Sequence, residues 1–392
     1  MNPSNKSTSK SFSSYFQSQN YKQITFIETR FGDPISSLNL NSIFLLIGTM
    51  FGRLYLYNFK TNTKTILIDT SDEEISNLNF ISSLSFHFTI GDEKIVTYKY
   101  NNLLLSPIPQ IKEIKNYPDE YTHINKCDFT YTIIYKNKML QIKISQPETH
   151  PIVLSNIMNN YIIKDLNNNN TIQKGDIEMT TYVVPFDFNG NYFAWVDFLN
   201  DKQRNLSLFN FQNSKLWKLR FEKNFGHISH CKFLIGEKIF IVRKLTLCEI
   251  RSIDDNFTIL YEFNNIGDCV ISIDIFYNYY TKEKYDDDDF LQINKINTNS
   301  NNYNNNIDSN YEVQIEKDNQ NELYIFLLDI DGNINLIHEN DILNITNVQK
   351  IKGVKQEFKN KGFFTLGYPY YLKYSNGFFA ISSDFGCFVF SP

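Results

Sequence analysis

Residues Ile43–Asn58 read IFLLIGTMFGRLYLYN. An apolar run (Phe44, Leu45, Leu46, Ile47) leads into Gly48–Thr49 and a Phe51–Gly52 turn, after which Leu54 and Leu56 alternate with Tyr55 and Tyr57. Two strands joined by a short glycine-containing turn are the direct reading. The pattern returns in Phe378–Phe390, FFAISSDFGCFVF, with Asp384–Phe385–Gly386 as the turn. A hairpin unit that recurs across the chain predicts a repeat architecture.

Working outward, Pro34 to about Thr70 holds four short strands (Ile35–Leu40, Phe44–Thr49, Arg53–Phe59, Thr65–Ile68) between turns rich in Asn, Gly and Thr. Four strands in roughly forty residues make one propeller blade. Six further units follow. The second is expected at Ile75–Ile81, Ser85–Ile90, Lys94–Tyr100 and Leu103–Pro107, and the third at Ile124–Phe129, Thr132–Tyr135, Met139–Ile144 and Ile152–Leu154; Asn156–Asp176 is placed between the third and fourth units, with its Asn run (Asn167–Asn170) as a loop. The fourth runs over Thr181–Phe221, the fifth from His227, the sixth from Cys269, and the seventh from Phe363–Leu366 to Cys387–Phe390. The strand at Ile24–Glu28 has no partner before it, and the last blade lacks an outer strand. Pairing the two closes the ring and removes both free edges. The expected class is therefore all-β: a seven-bladed β-propeller over residues 21–392, closed by an N-terminal strand. A disordered tail covers 1–20, and a low-complexity Asn/Asp-rich insertion at 277–321 interrupts the sixth blade.

Composition agrees. The chain has 392 residues, 42% hydrophobic and 16% aromatic, mostly Phe and Tyr, which are strand-favouring residues. A net charge of −5 gives no global basic field, so no nucleic-acid partner is expected. No apolar run approaches the ~20 residues needed to cross a bilayer, and the opening MNPSNKSTSKSFSSYFQSQN lacks a signal peptide's apolar core. Five scattered cysteines without a CxxC read as reduced thiols of an intracellular, cytoplasmic protein.

The units resemble a degenerate WD40-type β-propeller. The resemblance rests on Ile47-Gly-Thr-Met-Phe-Gly-Arg-Leu-Tyr-Leu-Tyr-Asn58, Leu327-Leu-Asp-Ile-Asp-Gly-Asn-Ile-Asn-Leu-Ile337 and Ile381-Ser-Ser-Asp-Phe-Gly-Cys-Phe-Val-Phe390. No Gly-His pair opens a blade and no Trp-Asp pair ends one; Tyr57–Asn58 is the nearest substitute. Without that family's buried His–Asp network, the blades are expected to rest on apolar packing. The resemblance implies a protein–protein interaction scaffold or adaptor subunit of a complex.

Each candidate site has a plainer reading beside it. His227–Cys231 (HISHC) places His230 and Cys231 on opposite strand faces, and no second cluster with zinc spacing follows. Asp329-Ile-Asp-Gly-Asn matches the opening of a calcium loop, yet lacks its twelfth-position Glu and reads as a type I′ hairpin turn. Asp286–Asp289 reads as a solvated charge run. Lys215, Lys218, Arg220 and Lys223, interleaved with Trp217 and Phe221, read as a solvated outer strand, with an RNA or other anionic-ligand patch as the alternative. Arg243 and Arg251 are single arginines, not the paired motif of phosphoinositide-binding propellers.

For catalysis, GxSxG is absent and Gly48-Thr-Met-Phe-Gly52 lacks a P-loop lysine. The innermost strands offer Asp128 and Asp274 among mainly Ser, Asn and apolar residues, too little for a hydrolase or lyase in the central channel, which stays the alternative. No catalytic residue, cofactor or metal is expected. The expected partner-binding residues are Arg30, Phe31 and Asp33, just before the first blade, with Phe51 and Arg53 in its hairpin.

Overall fold

A computed structural model describes residues 19–30, 32–69, 73–82, 84–91, 94–99, 112–114, 129–144, 157–168, 170–179, 183–200, 203–220, 226–253, 257–263, 269–278, 322–338, 349–351, 370–384 and 386–392. Among them are seven four-stranded antiparallel sheets and no helix. After β1 (Lys22–Glu28), blade 1 is β2 (Ile35–Leu40), β3 (Phe44–Thr49), β4 (Arg53–Asn58) and β5 (Thr63–Asp69). Blade 2 is β6 (Ile75–Ser82), β7 (Ser85–Ile90), β8 (Lys94–Lys99) and β9 (Lys112–Ile114); blade 3 is β10 (Phe129–Tyr135), β11 (Lys138–Ile144), β12 (Ile157–Asp165) and β13 (Thr171–Met179). Blade 4 is β14 (Val183–Phe188), β15 (Tyr192–Asn200), β16 (Gln203–Asn210) and β17 (Lys215–Arg220); blade 5 is β18 (Ile228–Leu234), β19 (Lys238–Arg243), β20 (Leu247–Ser252) and β21 (Ile259–Phe263). Blade 6 is β22 (Val270–Asn278), β23 (Glu322–Asp329), β24 (Ile334–His338) and β25 (Gln349–Ile351). Blade 7 is β26 (Leu372–Ser375), β27 (Phe378–Ser383) and β28 (Gly386–Ser391), completed by β1 on its outside.

That last pairing is the expected closure, running from Lys22↔Ser391 to Glu28↔Gly386. Gly386 is required there by close approach, since a Cβ would lie 2.4 Å from the Ile27 carbonyl. The buried apolar side chains form seven clusters, each filling one blade-to-blade interface. Burying such faces is the main favourable term of the fold. Inner strands pack in ring order, β18 reaching β22 through His230, whose Nε2 donates to the Ile271 carbonyl at 3.1 Å.

Several expectations need correction. Blade 3 is displaced by one strand: the segment placed between the third and fourth units forms, from Ile157 on, most of the β12–β13 hairpin. The Asn run sits at its tip, where the Asp165 carboxylate accepts from the Asn167 amide. The fourth strand of blade 2 is Lys112–Ile114, whereas Leu103–Pro107, Ile124, Asp128, Ile152–Leu154 and Phe363–Leu366 lie outside the described residues, as do the tail to residue 18 and the insertion from 279 to 321. The Asp331–Gly332 hairpin is not type I′, because only Gly332 has positive φ (78°). Its apex is Ile330–Asp331, closed by Gly332 N donating to the Asp329 carbonyl at 3.0 Å. Gly52 repeats this geometry after Met50–Phe51, with φ 78°.

Nor do the blades rest on apolar packing alone. A polar residue ends the second strand of four blades (Thr49, Arg243, Asp329, Ser383), and in blade 4 Asp197 stands three residues before the end of β15; these residues tie the turn that follows or the adjoining strands. Asp197 accepts from Trp195 Nε1 (2.7 Å) and from Ser207, Asp329 from the Asn333 amide (2.7 Å), and Ser383 donates to the Gly386 carbonyl (3.1 Å).

Candidate interaction face

In blades 1, 2, 5 and 6 the turn between second and third strands lies at the same end as the crossing into the inner strand. The backbone shows this directly: Met50 N donates to Pro34 O (2.9 Å), Gly91 N to Glu74 O (2.7 Å), Lys244 N to His227 O (2.8 Å) and Ile330 N to Cys269 O (2.9 Å). One face of the ring is thus built from turns stitched to the crossings beside them. Large apolar side chains stand exposed on it: Met50, Phe51, Leu245, Ile330, Tyr370 and Tyr371. Leu245 also has φ 65°, an unusual backbone for a bulky residue.

The expected binding residues divide here. Phe51 projects from its turn, 48% exposed, and Arg30 is exposed with its backbone N donating to the Tyr55 hydroxyl at 3.3 Å. Phe31 lies outside the described residues. Asp33 and Arg53 are buried and brought together: Arg53 Nη1 meets Asp33 Oδ2 at 2.7 Å, while the same carboxylate accepts from the Thr49 hydroxyl (2.9 Å) and the Phe51 amide (3.0 Å). Arg53 Nε also reaches Asp69 at 3.2 Å. This pair holds the turn that displays Phe51. Met50, as exposed as Phe51, and the tyrosine pair lacked a sequence signal because their loop flanks carry no period.

The inner strands repeat an apolar–polar–apolar triad whose central residue bridges to the next blade. Asn39 donates to Leu78 O (2.7 Å) and Asn79 to Lys136 O (3.0 Å). Asp187 takes Lys232 Nζ (2.9 Å) and Phe233 N (2.8 Å), and Asp274 takes Lys373 Nζ (2.8 Å) and Tyr374 N (2.7 Å). Reading only Asp128 and Asp274 as inner-strand charges missed Asp187, Lys232 and Lys373. Asp187 first, with Asp274 adding, raises the Lys232 pKa, so that ammonium stays charged. Each carboxylate has both oxygens engaged, as in a joint between blades.

His230 uses both ring nitrogens, Nδ1 facing the Ser229 hydroxyl at 3.0 Å, and burial lowers its pKa. Cys231 is buried in the interface with blade 4, and burial raises its thiol pKa. Arg243 and Arg251 converge on the buried Glu249 within blade 5. β17 is an outer strand, with Lys215 over the Trp217 ring and Lys218 at 3.6 Å from Glu178. No group of three or more His, Cys, Asp or Glu among the described residues is arranged to hold a metal ion, and no helix there is long and apolar enough to cross a membrane.

No protein-family model matches this chain, and no curated protein matches it. Among solved structures it is similar to the crystal structure of the computationally designed Ika8 protein, a designed propeller, with a TM-score of 0.50 and 9% identity over 95% of this chain and 100% of that one. At that identity the likeness speaks to fold alone.

Proposed function

We propose that this chain is a non-catalytic, WD40-like interaction scaffold, an adaptor subunit that binds other proteins through the face carrying the turns between second and third strands. One observation carries the reading: exposed apolar side chains stand on turns made rigid by backbone bonds to the crossings and, around Phe51, by a buried ion pair. Rigid display of large side chains lowers the entropy cost of association, and such anchors dominate binding. The inner-strand charges are consistent with this reading, since they serve as joints.

The test is purification of the full chain from its own cells at near-physiological salt, with mass spectrometry. Stoichiometric companions are expected, and Met50→Ser with Phe51→Ser should release them at unchanged thermal midpoint. Companions that survive this substitution would remove the face from the proposal.

A further inference from the structure

We infer that β13, the outer strand of blade 3, pairs with β13 of a second copy of this chain, antiparallel about Gly175, and so joins two propellers edge to edge. This pairing is independent of the scaffold reading above and uses a different part of the molecule.

The outer strand of each blade leaves one edge unpaired within its own sheet. Sheet edges are ordinarily kept from pairing by shortness, irregularity or charge. β9 and β25 span three residues each and β21 five. β1, β5 and β21 pair with a register shift. β17 carries Lys215, Lys218 and Arg220, one sign throughout, which repels a second copy of itself. β13 is built differently. It has nine residues, its register shift lies at its start, and from Gln173 to Met179 it runs unbroken against β12.

The sign pattern of β13 selects the occupant. Lys174 and Asp176 flank Gly175, and both are exposed. Their direct partners on β12 are Ile162 and Asn160, so neither charge is answered across the hairpin, and neither takes part in an ion pair among the described residues. Antiparallel pairing centred on Gly175 sets Lys174 opposite the second copy's Asp176, and Asp176 opposite its Lys174. Two attractive cross-strand pairs result, related by the two-fold axis. Moving the centre to either neighbour sets Lys174 against Lys174 or Asp176 against Asp176, so the charges also fix the register.

Exposed apolar side chains fit the same axis. Met158 and Ile172 are 61% and 51% exposed. Met158 stands opposite Glu178, and the two-fold places the second copy's Ile172 on the far side of Glu178, in the same cross-strand row and on the same sheet face. Glu178, whose carboxylate lies 3.6 Å from Lys218 of blade 4, lends its methylenes between them. Main-chain hydrogen bonds along the joined edges supply affinity, and the side-chain rows supply specificity.

The test is sedimentation equilibrium of the full chain over a dilution series, beside its charge variants. The parent is expected to form a concentration-dependent dimer. Lys174→Asp and Asp176→Lys, each alone, should raise the dimer dissociation constant about tenfold or more, because acid then faces acid, or base faces base. Two readouts separate this from a local structural effect. The double exchange, Lys174→Asp with Asp176→Lys, should restore the dimer, and the two single variants mixed together should form a heterodimer. Carbodiimide treatment of mixed isotope-labelled and unlabelled chains should link Lys174 of one to Asp176 of the other. Circular dichroism should match the parent in every variant. A parent that stays monomeric overturns the inference. So does a dimer that the single variants leave intact, that the double exchange fails to restore, or whose links fall elsewhere. None of these outcomes touches the scaffold reading, which is decided by companions released at the Met50–Phe51 turn.

Discussion

Blades 5 and 6 each place a polar side chain at one register position of the third strand, and they treat it in opposite ways. Glu249 stands between Ile241 and Glu262; Asn335 stands between Leu327 and Lys350. Both are 0% exposed. Around Glu249 the neighbouring strand residues supply Arg243 and Arg251, the latter at 2.7 Å and also donating to the Phe257 carbonyl at 2.9 Å. Asn335 has no hydrogen-bond partner on either side-chain atom among the described residues. Its surroundings are the apolar interface with blade 5. The difference teaches that a buried polar residue stabilises only as part of a completed set. Burial alone predicts nothing about the sign of its contribution.

The largest effect should come from breaking the completed set. Glu249→Ala leaves the Arg251 guanidinium buried without its carboxylate and leaves Arg243 only its more distant partner Glu262; it is expected to cost about 3–5 kcal/mol, read as a lower urea midpoint at unchanged slope. The opposite sign is expected next door: Asn335→Leu removes an unpartnered amide and should raise stability by about 1–3 kcal/mol. A loss there would show that the amide has a partner and would dissolve the contrast.

His87 extends the comparison to a group that is half satisfied, with Nδ1 beside the Thr97 hydroxyl at 2.8 Å and Nε2 unpartnered. Burial lowers its pKa from 6.5 to about 4. Above the higher value the ring is neutral in both states. As pH falls through that window, the unfolded chain binds a proton that the folded chain refuses, so stability drops, by at most about 1.4 kcal/mol per pH unit. His87→Gln should flatten this part of the pH profile, and an unchanged slope would assign it elsewhere. The smallest effect is expected when the Arg243–Glu249–Arg251 set is removed as a whole. Glu249→Leu with Arg243→Met and Arg251→Met should land within about 1–2 kcal/mol of the parent, because no buried ion is left uncompensated and Glu262, which loses Arg243, is partly exposed to solvent.

Much of this was legible in the residues. Blade 1 reads strand for strand because its second and third strands are apolar on both faces and its turns carry Gly52 and Asn58. The closure followed from a spare strand and a missing one. Blade 3 misled because β13, TIQKGDIEM, is an outer strand with little burial, and β12 includes Asn159 and Asn160 within its span. Asn159 is buried and donates to the Met179 carbonyl at 3.3 Å, a role that composition hides in an Asn-rich chain. At the candidate face, the Gly52 turn pointed to Phe51. The Asp33–Arg53 contact spans twenty positions and has no periodic signature, so a residue pair expected to meet a partner instead meets itself.

The seam between β1 and β28 has a consequence for synthesis. Its two strands are separated by more than 350 residues. At ~5–20 residues per second, β1 waits on the order of twenty seconds or more before its partner is made. Throughout that interval the growing chain presents an unpaired strand and an open ring. Loop closure over such a span is entropically slow, so the strand of this ring that is made first is the last to find its place.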